Sequence, residues 1–409
     1  MTLPLESTAR LISGDERLDR LSHICAERLL ASEAPAGFRD RLFVSAALDR
    51  TGFHAMVREG LYPLRRRQRL NGAFRAPEPA PEDTACALWM LVDHARLTND
   101  LSYLKAVYGT VRRGVRHLTR RRLPDSRRPH SGLMPPAVVP TDEPEAAGRY
   151  AHTLWCLAGV QEAARAAAAL GRSTDVHDAE SLHHELRRAL ARSLAEDGDG
   201  PLSSDPGRPV DAAAADALLA LVPGDVFAPD WPPLTGTLDL ALQGSLGPTP
   251  DGRAVDPARR DLILAHHLLR RGDARVWEMV GSGTMASPAS PLEDALRLWL
   301  TRNLLVNDAH DLLLLAPGFG LRRPPAGTEA VVEHAPTRFG RLSYRLRSHS
   351  DRLELWWSAL ERTPPTHFIW PLPGTVLAIE PPLATLTATR RALRLDPGGG
   401  HLSVRLGPS

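Results

Sequence analysis

Apolar residues recur at helical spacing over most of the first 307 positions. Segment 99–122 shows this pattern best, with apolar side chains at steps of three or four residues: Leu101, Leu104, Tyr108, Val111, Val115 and Leu118. Asn99 or Asp100 is suited to cap its start, and Pro124 lies just past its end. Similar stretches cover 16–33, 38–50, 52–70, 82–97, 148–170, 174–196, 209–222, 258–271 and 290–306. The spacing predicts roughly ten helices joined in hairpins by short turns, with the Pro- and Gly-rich region 223–257 as a loop.

The pattern changes near residue 308. A short apolar run at 312–315 is followed by segments in which apolar and polar residues alternate, as in half-buried strands: 328–333, 342–348, 353–358 and 367–370. Further short candidates lie at 375–380, 384–387 and 401–406. Helices followed by antiparallel strands predict two domains, a helical one over 1–307 and a small β-sandwich over 308–409 packed on the helices.

Composition and charge narrow the class of protein. The chain has 409 residues, 43% of them hydrophobic, and a net charge of +2, which excludes a disordered tail protein and a nucleic-acid coat. No apolar run approaches the roughly 20 residues that span a bilayer. The first ten residues lack the basic stretch and apolar core of a secretory signal. A cytoplasmic protein without a membrane partner is expected.

Three motifs that suggest cofactors or metals have plainer explanations. Residues 281–286 fit the dinucleotide pattern G-x-G-x-x-A, but no predicted strand precedes them. His183-His184-Glu185 starts like a zinc-protease helix, but Arg188 occupies the place of the second histidine ligand. The cysteines are far apart and predicted to be buried free thiols: Cys25, Cys86 and Cys156. No cofactor and no metal site are expected.

An arginine-rich stretch at 112–128 raises the question of nucleic-acid binding. Eight arginines meet a single acid there, Asp125. A basic patch of this kind attracts phosphates or acidic sugars. The stretch has no interleaved series of aromatic residues for base stacking. We interpret it as a solvated helix face running into a basic loop, with no nucleic-acid partner.

Several fragments together resemble the six-hairpin glycosidases. They follow one another in the expected order, and the likeness covers about residues 36–358: 37–53, 68–74, 83–100, 132–135, 150–155, 170–172, 277–278, 302–306, 317–318 and 335–340. The resemblance implies an (α/α)6 toroid of helical hairpins, followed here by the predicted β-sandwich. It also implies a carbohydrate or glycoside as the substrate.

Glycosidic-bond cleavage requires an acid for the leaving oxygen and a second carboxylate that activates water, roughly 6.5–9.5 Å apart in inverting enzymes. The resemblance places the site in a funnel at one end of the toroid, with these acids in the loops beside inner helices: Asp40, Glu82, Asp83, Asp142, Glu143, Glu145 and Glu278. It implies Asp83 or Glu143 as the acid and Glu278, beside Trp277, as the base. For Glu82 and Asp83, ordinary first-turn acids of a helix are the alternative, and for the 140–145 loop it is a solvated acidic loop.

The resemblance also implies substrate-binding residues. Arg39 and Asp40 are suited to hold sugar hydroxyls, the first by donating and the second by accepting hydrogen bonds. A helix-capping ion pair is the alternative for these two. The other candidates lie in the matched fragments: Trp89, His152, Trp155 and Trp277. His152 stands where relatives carry an acid, and it can act as a hydrogen-bonding or acid group near neutral pH.

These observations lead to three hypotheses. The first is a glycoside hydrolase-like protein that inverts the configuration at the cleaved bond. The second is a catalytically degenerate relative that acts as a carbohydrate-binding or scaffolding module. The third is a cyclase or other small-molecule enzyme on the same kind of toroid, which predicts an apolar, aromatic-lined cavity. A missing first helix would expose an apolar seam and favour a homodimer.

Overall fold

The computed structural model describes residues 8–76, 80–126, 130–136, 149–246, 256–281, 290–309, 311–381, 384–387 and 391–407. Its helices are α1 Glu16–Ala31, α2 Phe38–Arg50, α3 His54–Leu61, α4 Leu64–Arg67, α5 Pro81–Thr98, α6 Leu101–Arg121, α7 Tyr150–Ala169, α8 Ser173–Glu196, α9 Ala214–Leu221, α10 Pro232–Leu242, α11 Pro257–Arg271, α12 Val276–Gly281, α13 Pro291–Leu305 and α14 Pro317–Leu321. Its strands are β1 Arg10–Ile12, β2 Val306–Ala309, β3 Leu312–Leu315, β4 Glu329–Thr337, β5 Gly340–Ser348, β6 Arg352–Trp357, β7 His367–Pro371, β8 Val376–Glu380, β9 Thr385–Leu386, β10 Ala392–Arg394 and β11 Gly400–Leu406.

Six helices contact one another in a closed cycle, in the order α2, α5, α7, α9, α11, α13 and back to α2. We call these the inner helices. The helices that alternate with them in the chain pack outside the cycle, as α1 does on α13 and α8 does on α7. Helices α5 and α7 are buried on nearly every side, whereas α6 buries one face only. This difference follows from position, because an inner helix has neighbours all round and an outer helix faces water.

Contacts at matching heights show that four inner helices run in the same direction. Near the middle of the cycle, the Phe43 ring lies 6.1 Å from Trp155, and the Trp89 ring lies 6.2 Å from Trp299. In the C-terminal halves of α2 and α5, Arg50 Nη1 lies 2.8 Å from Asp93 Oδ2. The starts of α2, α5, α7 and α13 therefore share one end of the cycle. We call that end, residues 38–40, 81–83, 150–152 and 291–294, the mouth, and the opposite end the base.

Two sheets pack at the base. The larger has the strand order β1-β4-β5-β6-β11-β8, and the smaller has the order β2-β3-β7-β10-β9. Strand β5 alternates as the sequence predicts, with Leu342, Tyr344 and Leu346 buried between exposed arginines. Contacts of β4 with α2 and α5 join the larger sheet to the inner helices. The sheets therefore close the base, and the mouth lies away from them.

Several sequence predictions are confirmed in detail. Helix α6 buries the predicted face from Leu104 to Leu118, although Leu101 is exposed, and the Asp100 carboxylate accepts from the Tyr103 N–H at its start. Strands β3, β5, β6 and β7 lie where alternation and the apolar run predict them. The three cysteines are free and buried. None of the helices in the described ranges has the length and the apolar character that crossing a membrane requires.

Other predictions are wrong. Region 223–257 is not all loop, because Pro232 and Pro233 begin helix α10, where the fixed φ of proline suits a first turn. The strands are not all antiparallel, since β3 and β7 pair in parallel. Strand β1, near the N-terminus, pairs with β4 and so joins the larger sheet far along the chain. The smaller sheet is therefore mixed, and the larger one draws a strand from outside the C-terminal region.

Candidate functional site

Helices α5 and α7 bring Glu82 and His152 together at the mouth. Glu82 Oε2 lies 3.2 Å from His152 Nε2, and both side chains are largely buried. The two helices approach closely because α7 carries Gly159, where a Cβ atom would lie only 2.4 Å from the Ala85 carbonyl oxygen. A glycine at this crossing lets the backbones touch. This close approach determines which positions along the two helices, among them Glu82 and His152, lie side by side.

His152 is oriented by the loop that precedes α7. Its Nδ1 lies 3.0 Å from the Pro135 carbonyl oxygen, which only accepts, so Nδ1 carries a hydrogen and donates it. Its Nε2 is therefore the ring nitrogen that lies beside Glu82 Oε2. Among the described residues, this carboxylate oxygen is buried and has no hydrogen-bond partner.

Asp83 lies beside this pair in the first turn of α5. Its carboxylate accepts from the Ala80 N–H at 2.8 Å, one half of a capping box. Burial raises the pKa of Asp83 to about 6, and the charge of Glu82 adds to this, whereas the Ala80 hydrogen bond and the charges of Arg67 and Arg39 oppose it. Asp83 combines the capping role expected of a first-turn acid with a pKa suited to proton transfer near neutral pH.

Arg39 and Asp40 lie in the first turn of α2. Arg39 Nε is 3.9 Å from Asp40 Oδ1, and both side chains are partly exposed at 34% and 44%. This is the ion pair expected at a helix start, and it leaves polar atoms of both residues facing solvent. Arg39 also acts electrostatically on Asp83. The structure therefore brings together five predicted or neighbouring residues at the mouth: Arg39, Asp40, Glu82, Asp83 and His152.

Sequence reasoning missed two acids at the start of α13. Glu293 forms a capping box with Ser290, and its Oε1 lies 3.5 Å from Arg259 Nη2 of α11. Asp294 accepts from the Cys25 thiol at 3.3 Å and pairs with Arg28 and Arg297. The signal was present, since Ser-x-x-Glu after a proline-rich segment marks a helix start. Both carboxylates are engaged in pairs that stabilise α13 at the mouth.

Trp89 and Trp155, predicted to bind sugar, lie in the core between the mouth and the base. Each is 2% exposed. Trp155 packs edge-on against Phe43, and Trp89 lies beside Trp299 with the Arg50 guanidinium 5.6 Å from its ring. These rings fill the interior beneath the mouth. Their contacts are packing contacts, and a role for either in binding sugar stays a prediction.

Trp277 and Glu278 lie apart from the mouth. Both are on α12, an outer helix, where Trp277 donates to the Gly318 carbonyl oxygen and Glu278 is exposed. The end of α12 is fixed by Arg17, which donates to the Gly281 carbonyl oxygen from the first turn of α1. The mouth begins beyond the other end of α1, roughly 24 Å away at 1.5 Å per residue over its 16 residues. The structure does not bring Glu278 together with Asp83.

The remaining catalytic candidate, Glu143, and its neighbours in the 140–145 loop lie outside the described residues. The same holds for residues 77–79 and 282–289, which precede α5 and α13. In the chain, each of these segments leads into an inner helix at the mouth. The structure therefore describes the mouth only at the starts of the inner helices.

Comparison with known proteins shows the fold. No protein-family model matches the sequence, and no curated protein matches it. Among solved structures, an α-L-rhamnosidase from Dictyoglumus thermophilum matches 98% of this chain and 50% of its own with a TM-score of 0.64 at 11% identity. An α-L-rhamnosidase from Aspergillus terreus matches 98% of this chain and 49% of its own with a TM-score of 0.56 at 12% identity. A rhamnosidase from Bacillus sp. GL1 matches 85% of this chain and 41% of its own with a TM-score of 0.58 at 12% identity.

These matches establish that the chain shares the fold of glycoside hydrolases. The chain spans about half the length of the rhamnosidases it matches. At such low identity the likeness concerns the fold alone, since one fold hosts many activities. Function must therefore be argued from the side chains at the mouth.

Proposed function

We propose that this chain is a glycoside hydrolase-like protein that acts on a carbohydrate at the mouth of an (α/α)6 toroid of the six-hairpin type. The closed cycle of inner helices and the fold shared with α-L-rhamnosidases support the toroid. The observation that carries the activity is the meeting of Glu82, Asp83 and His152 at the mouth, with the pKa of Asp83 raised to about 6. An α-L-rhamnoside is the first substrate to test.

In the proposed chemistry, Asp83 is the general acid. With a pKa of about 6, a large fraction of the carboxyl group is protonated at mildly acidic pH, so that it can protonate the oxygen of the leaving group. Glu82 is the second carboxylate, and it accepts a proton from the attacking water, as inversion requires. Arg39 and Asp40 bind sugar hydroxyls, Glu143 is the alternative acid, and Glu278 has no part.

Kinetics on two kinds of glycoside test this assignment. We expect Asp83→Asn to lose about 10²–10⁴-fold in kcat/KM on alkyl glycosides, whose leaving groups need protonation. The loss on nitrophenyl glycosides is expected to be smaller, because nitrophenolate leaves without an acid. Asp178→Asn, at an exposed position of α8, is the matched control. Equal losses on both substrates, or full activity of Asp83→Asn, would contradict Asp83 as the acid.

A binding module without catalysis is the second candidate, and one observation favours it. His152 occupies the position at which the six-hairpin pattern has an acid. In a degenerate site the Glu82–His152 pair would hold a sugar hydroxyl in place of activating water. Wild-type protein that binds monosaccharides but cleaves no glycoside in the panel, with binding lost in Glu82→Gln, would establish this alternative.

The remaining sequence predictions are carried forward as proposals. The chemistry above needs no metal and no cofactor. A division into a helical domain over 1–307 and a C-terminal domain over 308–409, a homodimer and a cytoplasmic location are open to direct measurement. Limited proteolysis tests the division, and light scattering tests the homodimer.

A further inference from the structure

A cavity lies at the base, where the inner helices meet the larger sheet. Its volume is about 580 Å³, within the range of roughly 300–1,000 Å³ typical of small-molecule sites. Its walls come from α3, the α5–α6 turn and the β4–β5 turn. Helix α5, with 18 residues, separates it from the mouth by roughly 27 Å at 1.5 Å per residue. The cavity is therefore distinct from the proposed catalytic site.

Two histidines of this cavity are oriented by one buried carboxylate. Asp49 Oδ1 lies 2.8 Å from His54 Nδ1, and Asp49 Oδ2 lies 2.8 Å from His94 Nδ1. Both residues line the cavity. The His94 side chain is only 2% exposed. Two histidines held by one buried acid at a cavity wall are preorganised polar groups of the kind that orient a small ligand.

Asp49 holds both histidines in place from behind the cavity wall. Its side chain is 3% exposed, and its two carboxylate oxygens contact the Nδ1 atoms of the two rings. Because each ring is held through Nδ1, its orientation at the wall is fixed before a ligand arrives.

The rest of the described lining is rich in positive charge. Arg58, Arg341 and Arg362 face the cavity, and Asp100, paired with Arg58, is the acid among the described lining residues. Arg362 Nη1 donates to the Leu97 carbonyl oxygen at 2.9 Å, which fixes its guanidinium to the wall. Helices supply the histidines from one side, and the sheet supplies Arg341 from another. A ligand here meets donors from several directions.

We propose that this cavity binds the phosphate group of a small molecule. The tetrahedral oxygens of a phosphate accept from guanidinium groups that approach from different directions, and the two histidines add polar contacts at the wall. A carboxylate is planar and presents its two oxygens in one plane, so it matches fewer of these directions. A metal cation is repelled by the guanidinium groups. The described residues contain no group of three or more His, Cys, Asp or Glu side chains arranged to hold a metal.

Calorimetric titration of inorganic phosphate into the intact protein, at constant ionic strength set with chloride, tests this proposal. We expect saturable binding to one site, and binding at least tenfold weaker in Arg341→Gln/Arg362→Gln and in His54→Gln. Neither variant changes the fully buried His94, and circular dichroism checks their folding. Arg20→Gln, an exposed arginine of α1, is the control and should bind as the wild type does.

Three results would overturn the proposal. They are no phosphate binding by the wild type, unchanged binding in both folded variants, and acetate binding as tight as phosphate. The last would assign the cavity to carboxylates. Activity at the mouth is not used as a readout, so the proposed function and this site can fail separately.

Discussion

Two buried acids, one at each end of the inner helices, have pKa values shifted in opposite directions. At the base, Asp93 bonds to Arg50 at 2.8 Å and to Arg338 at 3.0 Å, and burial alone would raise its pKa, but the two guanidinium groups bring that pKa well below its usual value. At the mouth, burial raises the pKa of Asp83 to about 6. Asp93 at the base is therefore a permanently paired charge, whereas Asp83 at the mouth can exchange a proton near pH 6.

This difference follows from what each end must do. At the base, Arg338 from the β4–β5 turn pairs with Asp93, and Arg302 pairs with Asp308 at 2.6 Å. These two pairs fix the sheets to the helices. Such a junction is stable only while each buried charge keeps its partner. At the mouth, a fully paired carboxylate would have no proton to give. A strained or incompletely paired group at one end of a well-paired scaffold is typical of functional sites.

The largest expected loss of stability comes from a substitution at the base. Asp93→Ala leaves the guanidinium groups of Arg50 and Arg338 buried without their counter-charge. We expect the free energy of unfolding to fall by about 3–5 kcal/mol, the usual consequence of removing one partner of a buried ion pair. Urea unfolding followed by circular dichroism measures this.

An exposed ion pair is the matched control for Asp93. Arg10 and Glu333 are 3.3 Å apart with side chains 63% and 41% exposed. Glu333→Ala should lower the free energy of unfolding by less than about 1 kcal/mol. If both substitutions cost the same, the base is not the paired junction described here.

The next largest loss of stability is expected from a substitution where α5 and α7 cross. In Gly159→Ala the new methyl group meets the Ala85 backbone, so the helices must separate. We expect a loss of about 1–3 kcal/mol in the free energy of unfolding, together with loss of the Glu82–His152 contact. Gly60→Ala in α3, where nothing lies within 4 Å of the new Cβ atom, should leave the stability unchanged or raise it. Equal stability of the two variants would contradict the close crossing.

A smaller effect is expected on the pH dependence of stability, and it has opposite signs at the mouth and at the base. The pKa of Asp83 rises from 3.8 to about 6 on folding, so the folded chain keeps a proton that the unfolded chain has lost. Stability therefore falls as the pH rises through this window. As the pH rises from about 4 to about 7, the free energy of unfolding of Asp83→Asn should therefore increase relative to that of the wild type. Asp93, with its lowered pKa, acts in the opposite sense, since its contribution is lost as the pH falls.

Unfolding of the wild type and Asp83→Asn at several pH values measures this difference. Asp178→Asn, exposed on α8, should show no such trend. A difference between wild type and Asp83→Asn that stays flat with pH would mean that Asp83 is not shifted by its burial at the mouth.

Local patterns in the sequence predicted the elements whose signals are local. The single buried face of α6 and the alternation of β5 were predicted, because an outer helix and a half-buried strand keep one polar face. Helix α10 was missed because its two prolines indicate a loop unless they are recognised as a first turn. Strand β1 was missed because three residues carry no period, and its partner β4 lies more than 300 residues along the chain.

The candidate site was predicted only in part, for the same reason. Asp83 was implied as an acid by the resemblance to the six-hairpin glycosidases, and an ordinary first-turn acid was the alternative for it and for Glu82. Their meeting with His152 depends on the crossing at Gly159, which no local pattern reveals. Trp277 and Glu278 share a fragment with the six-hairpin pattern, but a short outer helix carries them away from the mouth. Spacing along the chain does not report which end of a long helix a residue occupies.

The most direct test of Asp83 as the acid is the titration of its carboxyl group, followed by carbon-13 detected NMR and assigned with Asp83→Asn. We expect a midpoint at about 6, the value of an acid able to hold a proton for a leaving oxygen. A midpoint at or below 3.8, the ordinary value for this group, would contradict it.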